Sequence, residues 1–164
     1  MRKSLVIVVV VFLSVTAEAA PPDQKDTFEA AFERLKGLAG TWESTKNDAE
    51  VRYYLTGNSS AVVEVFKNST SSVYHMDGDD LLVTHYCGAN NQPRMKAVDY
   101  DPERGTLKFD FVDVTNVADP DEYYTREVEI VFQDESHVEV HFNGIEKGHE
   151  LPVVQPLRRR RAGR

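Results

Sequence analysis

The stretch DTFEAAFERLKGLAGTW, residues 26–42, decides how the chain is read. Its apolar residues Phe28, Ala31, Phe32, Leu35 and Leu38 recur at spacings of three and four, which puts them on one face of an amphipathic helix. Asp26 is placed to cap the start, and Gly37 and Gly40 punctuate the end before Trp42 opens a first strand. A single helix with one apolar face, followed at once by strands, predicts a helix laid over one end of a sheet structure.

Beyond Trp42 the period becomes two. Val51, Tyr53 and Leu55 alternate with Arg52 and Tyr54, and Ala61 to Phe66 is β-branched and apolar. Ser71 to Met76 and Leu81 to Cys87 flank Asp77-Gly78-Asp79-Asp80, a hairpin signal because Gly supplies the positive φ such turns need. Gln92 to Tyr100 and Thr106 to Val112 flank a second turn, Asp101 to Gly105, and Thr115 to Glu122 reads as the longest loop. Tyr123 to Gln133 and His137 to Asn143 follow, and Gly144 and Gly148 bracket a last turn before Leu151 to Leu157. Turn signals spaced by roughly 8–12 residues predict about nine or ten short antiparallel strands. An up-and-down β-barrel is favoured over a sandwich, because the helix needs an open end to cover and closure removes exposed sheet edges.

Ahead of the helix, Met1-Arg2-Lys3, the apolar run Leu5 to Leu13 and the small residues around Ala19 and Ala20 have the three parts of a secretory signal peptide. The apolar run is about nine residues, against the roughly 20 a membrane-spanning helix needs. The expected organisation is a signal peptide over 1–20, one barrel domain over 25–157 and a disordered basic tail over 158–164, in a protein that is exported to the periplasm or secreted. Cys87 is the sole cysteine, so no internal disulfide forms and packing must stabilise the fold.

The formal charge is −8 and the C-terminal end is rich in arginine, leaving the body more acidic than the total. An acidic body argues against a phosphate-tracking groove, so no nucleic-acid partner is expected.

With helix, Gly40-x-Trp42 and strands in place, the chain resembles the calycin group of lipocalin-like barrels. The segments Tyr74-His75-Met76-Asp77-Gly78-Asp79-Asp80-Leu81, Thr84-His85-Tyr86-Cys87 and Asn91-Gln92-Pro93-Arg94-Met95 are similar to a family of bacterial exported proteins of unknown function. That resemblance spans nearly all of the mature chain and implies a fold more than an activity. It also implies a His-x-His pair on the strand where this chain has Tyr124 and Arg126, so a metal or haem role does not carry over with that pair.

Strict alternation from Val128, Ile130 and Phe132 puts Tyr124 and Arg126 on the inward face, where an arginine needs a partner. Glu64 shares a face with Val62 and Phe66 and is the carboxylate in reach, although Ala61, Val63 and Val65 make the opposite face equally apolar. Leu81, Val83, His85 and Cys87 share a face, and hairpin pairing brings Tyr74 and Met76 beside them. Glu64, Tyr74, His85, Tyr124 and Arg126 are therefore the candidate ligand-binding residues, with Gly40 and Trp42 structural. His75-x-Asp77 is discounted as a metal pair because Asp77 belongs to a turn, and His137 and His141 alternate with apolar residues and face water.

Nucleophilic catalysis has no support. There is no Gly-x-Ser-x-Gly elbow, and residues two apart on one strand, such as His85 and Cys87, lie about 7 Å from each other, too far for a nucleophile and its base. The reading that follows is an exported barrel binding a small, largely apolar molecule without turnover. The alternatives are a haem-binding or haem-dependent redox barrel with His85 or His75 as axial ligand, and a non-catalytic envelope interaction module using its outer face or Arg tail.

Overall fold

The computed structural model describes residues 23–67 and 69–160. The expected signal peptide lies outside these residues.

Helix α1 (Gln24–Lys36) starts after Asp23, so Asp26 stands in its first turn and is not its cap. Every residue of the apolar face read from the sequence is buried: Phe28, Ala31, Phe32, Leu35 and Leu38. The ten strands are β1 (Gly40–Ser44), β2 (Glu50–Thr56), β3 (Ala61–Phe66), β4 (Ser71–Asp77), β5 (Asp80–Tyr86), β6 (Gln92–Asp101), β7 (Thr106–Thr115), β8 (Tyr124–Phe132), β9 (His137–Glu146) and β10 (His149–Arg159). Each pairs antiparallel with its neighbour in sequence and β10 closes on β1, giving an up-and-down barrel. The helix packs against β4, β5 and β6 at the end that holds the Asp77–Asp80 turn.

Closure of the barrel is brief. Trp42, Glu43 and Ser44 of β1 pair with Arg159, Arg158 and Leu157 of β10, so among the described residues the first half of β10 has β9 on one side and no strand on the other. Thr45 N–H donates to the Pro156 carbonyl and Arg160 N–H to that of Thr41, which shows that even-numbered residues of β10 turn their backbone groups toward this gap. Pro152 and Pro156 both fall on that side, so the N–H each one lacks is removed from the open edge and the edge is blunted against a further strand.

The helix end is locked by one side chain. The Arg159 guanidinium lies 4.4 Å from the Trp42 ring and donates to the carbonyls of Gly37 (2.7 Å), Ala39 (2.8 Å) and Glu135 (2.9 Å). It thereby satisfies carbonyls just past the helix C-terminus and ties them to the last strand. Gly40 adopts φ +138°, and a Cβ there would sit 3.1 Å from Arg159 Nη1, so the glycine before the tryptophan gives this arginine its room. Arg160 pairs with Glu43 at 2.6 Å and Glu50 at 2.7 Å. The expected disordered tail is thus corrected: Arg158 to Arg160 belong to the fold, because closing the barrel requires β10 to run this far.

Gly144 is likewise not a turn residue. It lies inside β9, and the Tyr123 ring occupies the place where a side chain at this position would stand.

Candidate functional site

A row of polar side chains crosses the inner wall at one level. Tyr53 on β2 faces Glu64 on β3, Glu64 faces Ser72 on β4, and Ser72 faces His85 on β5, each pair being direct cross-strand neighbours. This works because all four positions are inward on their strands, so their side chains meet laterally as sheet neighbours do. Glu64, fully buried, accepts from Tyr53 Oη at 2.5 Å and from Tyr74 Oη at 3.0 Å, and Ser72 is its cross-strand neighbour. His85 Nδ1 lies 3.0 Å from Ser72 Oγ.

Burial pushes the Glu64 carboxyl above its ordinary range, opposed by the hydroxyls of Tyr53, Ser72 and Tyr74. Burial, and then the charge of Glu64, holds both tyrosine hydroxyls well above their usual value. Burial lowers His85 to about 4, so its imidazole is neutral at physiological pH.

On the helix side of this row the interior is filled. Trp42, Tyr53, Tyr74, Leu81, Met95, Leu107, Phe109, Ile130 and Leu157 are all buried to below 2% exposure. Away from the helix a hollow of about 330 Å³ remains. Phe66, Phe142, Tyr123 and Val153 supply its apolar lining, and His85, Cys87, Thr125 and Gln155 its polar atoms. The Phe142 ring stands 5.8 Å from the His85 ring and 5.9 Å from Phe66. Val153 is half exposed although it lies on the inward side of β10, because the gap beside β10 leaves the mouth open laterally. Asn91, fully buried, donates to the Tyr123 carbonyl at 2.6 Å and pins the start of β8 over the mouth.

The sequence-predicted residues separate into two groups. Glu64, Tyr74 and His85 come together in the polar row, though of these only His85 reaches the hollow. Tyr124 and Arg126 do not join them. The β8–β9 register shifts between Thr125 and Glu127, and this bulge moves the alternation by one residue. Thr125 therefore turns inward and is buried, Arg126 is exposed, and Tyr124 is half-buried with its ring 5.3 Å from Phe111. The expectation of an inward Arg126 paired with Glu64 is corrected on this ground; two tyrosine hydroxyls are Glu64's partners instead. His75 is corrected as a haem ligand from within, since Ser72, Tyr74 and Met76 take the inward positions of β4.

Tyr53, Ser72, Tyr123, Thr125, Phe142 and Gln155 join the site without being singled out by the sequence. For Tyr53 the signal is present, since it shares a face with Val51. Ser72 has no such signal, being one hydroxyl in the run Ser69 to Ser72. Thr125 is hidden by a bulge that alternation does not announce.

Among the described residues, no group of three His, Cys, Asp or Glu is gathered for a metal ion, and no helix is long and apolar enough to cross a membrane. In a larger cleft of about 510 Å³ between Glu43, His137 and Arg158 to Arg160, Arg158 and Arg160 pair with Glu43, His137 pairs with Asp134 and Arg159 is held by backbone carbonyls.

No protein-family model matches the chain, and no curated protein matches it. Among solved structures it is similar to the crystal structure of pallilysin from Treponema pallidum, with a TM-score of 0.39 and 14% identity over 87% of this chain and 100% of that one. So distant a likeness bears on neither mechanism nor ligand, and what the chain is shown to be is a closed, ten-stranded antiparallel barrel with one short helix at its end.

Proposed function

We propose that this chain is an exported, non-catalytic barrel that binds a small, largely apolar molecule at its open mouth. The observation that carries the reading is the contrast within one interior: tightly filled beneath the helix, yet hollow where Phe66, Phe142 and Val153 surround the inner edge of His85. An apolar hollow with a few converging polar groups is the ordinary form of a small-molecule site. The sequence-based expectation places the ligand in the barrel's interior; the hollow that supports the reading lies at the mouth, with His85 in its polar lining. Export rests on the leader-like Met1 to Ala20 and is tested by sequencing the N-terminus of the protein recovered from its own compartment.

The binding experiment uses N-phenyl-1-naphthylamine, an uncharged fluorophore that brightens in apolar surroundings. The expected result is saturable enhancement at one probe per chain, lost in Val153→Glu while the melting temperature stays unchanged, because Val153 is half exposed and its replacement charges the mouth alone. Absence of saturable enhancement, or full binding by the Val153→Glu protein, overturns the reading. Haemin is the informative competitor. A Soret shift abolished by His85→Ala would transfer the site to the haem alternative.

A further inference from the structure

We infer that the outer face of strands β2 to β5 is a contact surface between two copies of this chain, independent of whatever the hollow binds. The sequence of β3, Ala61-Val62-Val63-Glu64-Val65-Phe66, is apolar on both of its faces. An antiparallel wall with one side in water alternates apolar with polar residues, and a strand apolar on both sides is one covered on both sides. The register shows which side lacks its cover. Val62, Glu64 and Phe66 stand opposite the inward Leu55, Tyr53 and Val51 of β2, so Val63 and Val65 turn outward, opposite Tyr54 and Arg52. From Val63 the outer row continues through Val73 of β4 to Thr84 of β5, which has Leu82 and Tyr86 as its outward neighbours along the strand. Tyr54 and Tyr86 remain 44% and 49% exposed, so no described element lies over them. Contiguous apolar side chains on an outer wall mark a surface that is covered by a partner.

Charge selects a second copy as that partner. Among the described residues, the outward positions of β3, β4 and β5 carry Asp, Glu, Lys or Arg only at the hairpin turn, as Asp77 and Asp80. The border on β6 is neutralised within the chain, since Lys96 holds Asp80 at 2.7 Å and Arg94 pairs with Asp113. The far wall is built differently. Asp110, Glu127, Glu129 and Glu139 all point outward from β7, β8 and β9, and Asp110 stands directly across from Glu127. Two copies of a chain with a formal charge of −8 repel wherever such carboxylates face each other. They meet without that cost only through the uncharged wall, and a twofold contact sets this wall against its own twin. A strongly charged partner would be met by a face of opposite sign, which this one is not.

The test is sedimentation equilibrium of the protein recovered from its own compartment, at low and high salt, beside two variants. A reversible dimer is expected. High salt is expected to tighten it, because screening removes the repulsion between two acidic bodies and leaves an apolar contact in place. The double variant Tyr54→Glu with Tyr86→Glu is expected to raise the dissociation constant about a hundredfold, the scale of two aromatic anchors lost. Its far-ultraviolet circular dichroism and melting temperature as a monomer are expected to match those of the unsubstituted monomer, both side chains being about half exposed. Glu127→Gln on the acidic wall is expected to leave the dissociation constant within twofold. A protein that stays monomeric at every concentration, a dimer that high salt dissociates, or a double variant that dimerises like its parent overturns the inference. Flotation with phosphatidylcholine vesicles completes the test: binding by a monomeric parent that the double variant loses would give the wall to a lipid surface and overturn the second copy as its cover.

Discussion

The two ends of this barrel are finished in opposite ways. At the helix end, four apolar residues of α1 and Leu38 just past it plug the opening and Arg159 bolts helix, first strand and last strand together over Trp42. At the mouth, β1 is too short to cover the first half of β10, Tyr123 leans over Gly144 in place of a plug, and a hollow persists. Between them runs a polar row that is satisfied on the filled side and ends, on the open side, in one imidazole nitrogen with no partner among the described residues. The contrast teaches that burial alone does not make a site; the buried carboxylate is matched by hydroxyls at the waist, and the proposed site lies where the packing leaves a hollow.

The strongest challenge to this contrast is Arg159→Ala. Losing three charge-assisted hydrogen bonds and the contact over Trp42 is expected to cost about 4 kcal/mol in urea unfolding, whereas Arg160→Ala, whose partners are exposed ion pairs, leaves the midpoint unchanged. Equal effects of the two substitutions would remove the lock from the account of the helix end.

Next comes the waist. Glu64→Leu strands the hydroxyls of Tyr53 and Tyr74 in the core and is expected to cost about 3 kcal/mol, while Glu64→Gln, which keeps an acceptor oxygen, costs less. If Leu is tolerated as well as Gln, the row contributes little to stability.

The pH response sharpens the difference between the row's two ends. His85 has a folded value lowered to about 4 from an ordinary 6.5, so the unfolded chain takes up this proton first as pH falls. Its contribution is fully present above 6.5 and is lost toward 4, by roughly 3 kcal/mol at most on that shift. Glu64 acts in the opposite sense, since its folded value is raised and protonation relieves a buried charge as pH falls through that value. Unfolding free energies of His85→Gln are expected to flatten the acid loss, and of Glu64→Gln to steepen it. A His85→Gln profile parallel to the unsubstituted protein would contradict the buried neutral imidazole.

The smallest expected effect is at the mouth. Gly144→Ala drives a methyl into the Tyr123 ring, which is partly exposed and swings away at a cost of about 1 kcal/mol. Fluorophore binding should change more than stability does. The reverse order would make Tyr123 a structural plug and not a rim.

Much of the architecture could be read from patterns with local physical causes. The α1 face followed from its 3.6-residue period, and the hairpins from Gly78 and Gly105, both at positive φ in the turns where they were expected. Candidate residues fared differently according to whether alternation was interrupted. Glu64, Tyr74 and His85 sit on strands that keep period two, and they meet. Arg126 is the extra, unpaired residue of the β8 bulge and Tyr124 lies before it, so the inward face read back from Val128 does not extend to either. The Arg-rich end misled for another reason. Composition shows that Arg159 is charged, but not that the carbonyls of Ala39 and Gly37 wait for it, 120 and 122 residues away along the chain.

What the sequence determined by itself is therefore the menu of elements: one amphipathic helix, then strands and turns, each specified by neighbours a few residues apart. Tertiary structure alone decided where the barrel stays open, which carboxylate receives which hydroxyl, and that His85 lines the mouth. These depend on the registers of β2 through β5 and on how far β1 and β10 overlap, and register is a relation between distant segments that no local period encodes.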